Sequence, residues 1–111
     1  MEGYFVLDDR GEPVPERNLE AWTRWFERAD RSIGRTIVTP EITVLTTFRG
    51  VVDPTDGSPA LFETRVFGGI LDGEEWRHCT RSEAIDGHAV LAEWCRIAVL
   101  PTHGITEDQI R

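Results

Sequence analysis

The hydrophobic pattern changes period at Gly34, and that change limits the chain to folds that combine helices with an antiparallel sheet. Ahead of it, in and just beyond "NLEAWTRWFERADR", Leu19, Trp22, Phe26, Ala29 and Ile33 recur at helical spacing. Asn18 is the expected N-cap, and Gly34 stands just past the expected end. Glu20 with Arg24 and Glu27 with Arg31 are four apart in the favoured order, each pair worth roughly 0.3 kcal/mol on an exposed face. Behind Gly34, "RTIV" and "EITVLTTF" alternate and are rich in β-branched residues, which predicts two strands separated by Pro40. In the second, Ile42, Val44, Thr46 and Phe48 share a face.

The flanks complete the pattern. "YFVLD" reads as a short strand, broken by "DRGEPVP" into a turn and an extended connection. "GVVDPTDGSPA" is the longest expected loop. It leads into "LFETRVFGG", where Leu61, Glu63, Arg65 and Phe67 share one face and Phe62, Thr64 and Val66 the other. "ILDG" is a turn and "EWRHC" a short last strand. Thr80 and Glu83 match a capping box, after which Ala84, Ile85, His88, Leu91, Ala92 and Cys95 recur at helical spacing. This second helix is expected from about Arg81 toward Ile97, with Pro101 as its end. The sum is an α+β domain over residues 1–100, an antiparallel sheet of about four to five strands with two helices packed on one face, and a loosely held tail over 101–111.

A chain of 111 residues with 40% hydrophobic and 29% charged content is expected to be one globular domain, burying roughly two-thirds of its unfolded surface. Cys79 and Cys95 form no CxxC pair, which with no secretory segment predicts reduced thiols and a cytoplasmic location. The longest apolar run, Ile97 to Leu100, is far short of the roughly 20 residues of a membrane span. Twenty acidic against twelve basic residues give a net charge of −8, which disfavours direct nucleic-acid binding. All twelve basic residues are arginine, a usage that a GC-rich coding bias accounts for.

The segments "WTRWFERADR", "TTFRG", "PALFETRVFGG", "LDGE" and "CTRSEAIDGH" together resemble a widespread family of small proteins of unassigned function encoded by bacteriophages and prophages. The resemblance covers about residues 4–95. Its most specific piece is LFET followed by Phe67, Gly68 and Gly69. Members of that family usually carry an Asp-His pair in the loop after the glycine matched by Gly50, where this chain has Val51, Val52 and Asp53. The resemblance implies a small accessory protein made in an infected or lysogenic cell, and it implies no chemistry.

Glu63, flanked on its strand face by Leu61 and Phe67, needs a partner if buried, and Arg65 can supply it; the simpler alternative is that both are solvated while Phe62, Thr64 and Val66 form the core side. His88, between Ala84 and Ala92 on an apolar helix face, is either a base or ligand or a core histidine bonded to a hydroxyl. Histidine spacing gives no HxH or HxxxH, so no metal site is expected. Trp25 lies off the helix stripe, at an edge or an interface, with Arg24 or Arg28 near enough to meet a phosphate. Gly68 and Gly69 suit a turn or bulge, and no phosphate-binding glycine motif, GxSxG or paired-carboxylate signature is present.

These expectations converge on a non-catalytic binding protein needing no cofactor, with Glu63, Thr64, Arg65, Thr46, Trp25, Arg28 and His88 as candidate ligand-binding residues. The partner is a small nucleotide-like ligand or a host factor, in a counter-defence role, with a homodimer completing the site. Two alternatives stay open: an acidic inhibitor in the nucleic-acid groove of a host protein, and a small enzyme using Glu63 and His88 as acid and base.

Overall fold

The computed structural model describes residues 3–52 and 59–104, with side chains described as far as residue 99. The central part of the long loop (53–58) and the tail (105–111) lie outside the described residues.

Local signals produce the elements where they are self-contained. Asn18 Oδ1 accepts from the Ala21 N–H at 2.9 Å and starts α1 (Leu19–Arg28). Thr80 and Glu83 bond reciprocally, Thr80 N–H to Glu83 Oε1 at 3.0 Å and Glu83 N–H to Thr80 Oγ1 at 3.1 Å, and open α2 (Arg81–Gly104). The alternation in "EITVLTTF" becomes a strand whose Ile42, Val44, Thr46 and Phe48 are all buried.

The chain forms two antiparallel sheets rather than one. β1 (Gly3–Leu7) lies between β2 (Pro13–Pro15) and β5 (Val51–Val52); β3 (Ser32–Thr39), β4 (Ile42–Phe48), β6 (Phe62–Phe67) and β7 (Glu75–His78) form a four-stranded sheet in that order. The "PVP" segment, expected as a connection, pairs with β1 through Val6 opposite Val14. Val51 and Val52, expected in the loop, pair with Tyr4 and Gly3. Gly50 decides this. Its φ of +79° turns the chain out of β4, and a Cβ there would lie 3.0 Å from a Phe26 ring carbon. Its carbonyl then accepts from the Phe5 N–H at 2.8 Å and from the Trp22 indole at 3.0 Å.

The helices divide accordingly. α2 packs across β3, β4, β6 and β7, whereas α1 packs against β1. α1 ends five residues earlier than its apolar spacing suggests: Ala29 is already extended, Asp30 Oδ1 accepts from the Ser32 N–H at 2.9 Å, and Ile33 and Gly34 belong to β3. Pairing of β3 with β4 outcompetes a further helical turn, because "SIGRTIVT" is rich in β-branched residues. Arg31, predicted to face Glu27 on the helix, instead stacks over Phe26, 3.9 Å from the ring centre, and donates to the Phe48 carbonyl at 3.1 Å. In the other direction α2 continues through Pro101 to Gly104, a proline costing the helix one backbone bond without ending it.

Two apolar clusters fill the interior. One gathers Phe5, Phe48, Val52, Leu61, Phe62 and Ala84; the other gathers Ile42, Val44, Val66, Leu91, Ala92 and Cys95. Burial of a phenylalanine such as Phe48 or Phe62 contributes up to about 3 kcal/mol. Among the described residues no helix is long and apolar enough to cross a membrane.

Candidate functional site

The seam between the two clusters is polar. Thr46 lies on β4 between Val44 and Phe48, Thr64 on β6 between Phe62 and Val66, and the two are directly opposite in the register. Both are 0% exposed, and their hydroxyls are 2.6 Å apart. Thr46 Oγ1 lies 2.7 Å from His88 Nδ1, and the far nitrogen of that ring lies 2.8 Å from Thr36 Oγ1 on β3. Thr64 Oγ1 lies 3.0 Å from His78 Nε2 at the end of β7. Five side chains from α2 and all four strands of the larger sheet thus form one line: Thr36, His88, Thr46, Thr64, His78.

Glycines make room for it. A Cβ on Gly87 would collide with the His78 ring, and one on Gly34 would touch the His88 ring at 3.4 Å. Burial holds both imidazoles below their ordinary pKa; at His78 the nearby Glu83 carboxylate partly opposes this. A cavity of about 80 Å³, lined by Ile33, Gly34, Thr46, Ala84, Ile85 and His88, reaches the line from one side.

Because the unfolded chain takes up protons at these rings more readily than the folded one, their contribution to stability is complete above the ordinary imidazole value and is lost as pH falls through the folded values. The urea midpoint is therefore expected to drop between about pH 7.5 and 5.5, a range that brackets the free imidazole pKa. A midpoint unchanged over that range would show that neither ring is held neutral by burial.

The other face of the same strands is open. Leu45, Thr47, Glu63, Arg65 and Phe67 surround a hollow of about 240 Å³. Arg65 donates through one nitrogen to Glu63 at 2.9 Å and to Glu75 at 2.6 Å, and Arg77 lies 3.4 Å from the second oxygen of Glu75. The Arg65 hydrogen bond and charge draw the Glu75 carboxyl below its usual range. Apolar groups flank this network: Phe67 is 47% exposed and Ile37, on the adjoining strand, 66%.

The seven candidate residues therefore divide. Thr46, Thr64 and His88 meet in the buried line, which identifies His88 as a core histidine bonded to hydroxyls. Glu63 and Arg65 pair on the opposite face of the sheet, so Glu63 and His88 share no substrate position. Trp25 packs edge-on to Phe48, with ring centres 5.8 Å apart, and its outer side lines a cleft of about 430 Å³ with Asp30 and Arg81. Arg28 is exposed in the last turn of α1. Trp22 and Phe26 stack at 4.6 Å within the fold.

His78 completes the line. Its only sequence signal is a histidine ending a strand next to a capping box. Gly68 and Gly69 form the expected turn: both have positive φ, and the Gly68 N–H is taken by Asp72 Oδ1 at 2.7 Å. Cys79 is exposed and Cys95 buried, both as free thiols. Among the described residues no three His, Cys, Asp or Glu side chains gather as metal ligands would. Searches against protein-family models, curated proteins and solved structures return no match to this chain.

Proposed function

We propose that this is a non-catalytic binding protein whose working surface is the open face of the four-stranded sheet. The observation that carries the proposal is the asymmetry of β4 and β6. One face is filled by α2 and the two apolar clusters, while the other presents a fixed Glu63–Arg65–Glu75 clamp beside exposed Phe67 and Ile37. Preorganised charges next to exposed apolar side chains favour recognition of a macromolecular surface. Two carboxylates already occupy Arg65, which weighs against a phosphate there and makes a protein a better partner than a nucleotide. The line of hydroxyls does not serve as a nucleophile, because Thr46 and Thr64 have no exposure to a substrate.

A second copy of the chain satisfies the same chemistry, since the surface carries both signs of charge and a two-fold operation brings each arginine toward a carboxylate. A dimer is expected by light scattering at micromolar concentration, with Phe67→Asp converting it to a monomer and leaving the thermal midpoint nearly unchanged. A wild-type monomer would sink the dimer, and the partner would then be a host factor, in keeping with the resemblance to phage-encoded accessory proteins. The net charge of −8 favours one further possibility, an inhibitor seated in a basic groove, and predicts partner binding that weakens steeply with salt.

A further inference from the structure

The four hydrogen bonds of the buried line constrain one another. Each threonine hydroxyl has one proton to donate, and a neutral imidazole has one donor and one acceptor nitrogen. With both rings neutral, all four bonds form and no buried hydroxyl proton is left over in only two ways. In one, Thr36 donates to His88 Nε2, His88 Nδ1–H to Thr46, Thr46 to Thr64, and Thr64 to His78 Nε2. In the other every bond is reversed. The tautomers of two rings on different elements are thus tied together: both carry the proton on Nδ1, or both on Nε2.

A single added proton fits at either end. With His88 doubly protonated, the bonds from Nδ1 through Thr46 and Thr64 run outward to a neutral His78; with His78 doubly protonated they run the other way. With both rings protonated, each drives its neighbouring threonine from its own side, and one hydroxyl proton between them has nowhere to go. Thr46 and Thr64 are 0% exposed, so water does not take it.

We propose that His78 and His88 form a single titrating unit, which accepts one proton with the line intact and a second only by leaving one of the two buried threonine hydroxyl protons, on Thr46 or Thr64 where β4 meets β6 beneath α2, without an acceptor. The surroundings leave this logic in control. His88 faces Thr36, Ile33 and Gly34 of β3, Thr46 of β4, and Ala84 and Ile85 of its own helix, none of them charged. His78 faces Thr64 of β6 and, on α2, Gly87 and the Glu83 carboxylate, which favours placing the first proton at the His78 end. The second proton loosens the attachment of α2 to the sheet, a pH-dependent joint separate from the open face.

Long-range proton–nitrogen NMR correlations of the wild-type protein, taken above the titration range, report which nitrogen of each ring is protonated. The same nitrogen in both rings is expected; opposite nitrogens would overturn the proposal. His88→Leu removes the acceptor at the Thr46 end of the line, so Thr46 must donate to Thr64 and Thr64 to His78 Nε2. His78, the end that takes the first proton, is then an Nδ1–H tautomer that can be protonated only by leaving a threonine hydroxyl without an acceptor, and its midpoint falls by about one pH unit, a tenfold loss of proton affinity. Plain electrostatics predicts the opposite sign or no change, because an ionisable neighbour has been removed. A raised or unchanged His78 midpoint in His88→Leu therefore rejects the single unit. His88→Gln, whose amide can still accept from Thr46, is expected to restore the wild-type midpoint; a fall equal to that of the leucine variant would assign the effect to packing and reject it too. Should His88→Leu fail to fold, the wild-type tautomers decide.

Discussion

Gly68→Ala is expected to destabilise the domain by about 3–4 kcal/mol, the largest loss from a single added methyl group anywhere in the described chain. Two costs combine. Gly68 has a φ of +91°, a backbone conformation that side chains rarely adopt. A Cβ there would also overlap the Glu41 carbonyl oxygen, which belongs to the β3–β4 turn and cannot rotate away as a side chain would. The neighbouring Gly69 is tight in a softer way, its Cβ falling 2.6 Å from the terminal methyl of Ile42. Chemical denaturation of both alanine variants checks the ranking. A loss at Gly68 no greater than about 1 kcal/mol would show that β6 does not close on the β3–β4 turn in this way.

Thr46→Val and Thr64→Val come next, each expected to cost about 2 kcal/mol although valine matches threonine in shape. Removing the Thr46 hydroxyl strands His88 Nδ1 and leaves Thr64 with His78 alone; removing that of Thr64 strands His78 Nε2 and leaves Thr46 with His88 alone. The buried partner left behind, more than the bond itself, sets the loss. Since both substitutions break the same 2.6 Å bond, the double variant is expected to fall short of the sum by about 1 kcal/mol or more. Additive losses in a double-mutant cycle would mean that the two hydroxyls do not interact. The apolar clusters on either side can pack without this seam, so its retention is better understood as setting register and pH response than as adding stability.

Whether a structural feature was legible in the sequence followed how local its cause was. The caps at Asn18 and at Thr80 with Glu83 need only residues three apart, and both form as read. The alternation of β4, and the division of "LFETRVFGG" into a face of Phe62, Thr64 and Val66 and a face of Glu63, Arg65 and Phe67, follow from the two-residue strand period, while the packing of α2 decided that the first of these is the core side. The end of α1 was not legible, because Leu19, Trp22, Phe26, Ala29 and Ile33 fit a helix stripe equally well whether or not Ile33 belongs to β3. The stripe itself was only partly buried, Leu19 remaining 56% exposed, since α1 covers the small sheet instead of the main one.

Legible from the chain alone were an acidic α+β composition, the caps of both helices, the two faces of each central strand, and a sharp turn at Gly68 and Gly69. Each follows from backbone sterics or from the periodicity of neighbouring side chains, which act within a few residues. Long-range packing set the rest: a second small sheet forms around Gly50, α1 and α2 pack against different sheets, and one face of β6 stays open. That packing alone joined His78 to His88, ten residues apart in sequence and on different elements, through two threonines contributed by paired strands. A buried hydroxyl or imidazole bonds whatever donor or acceptor the fold brings within about 3 Å, and chain spacing carries no record of that partner.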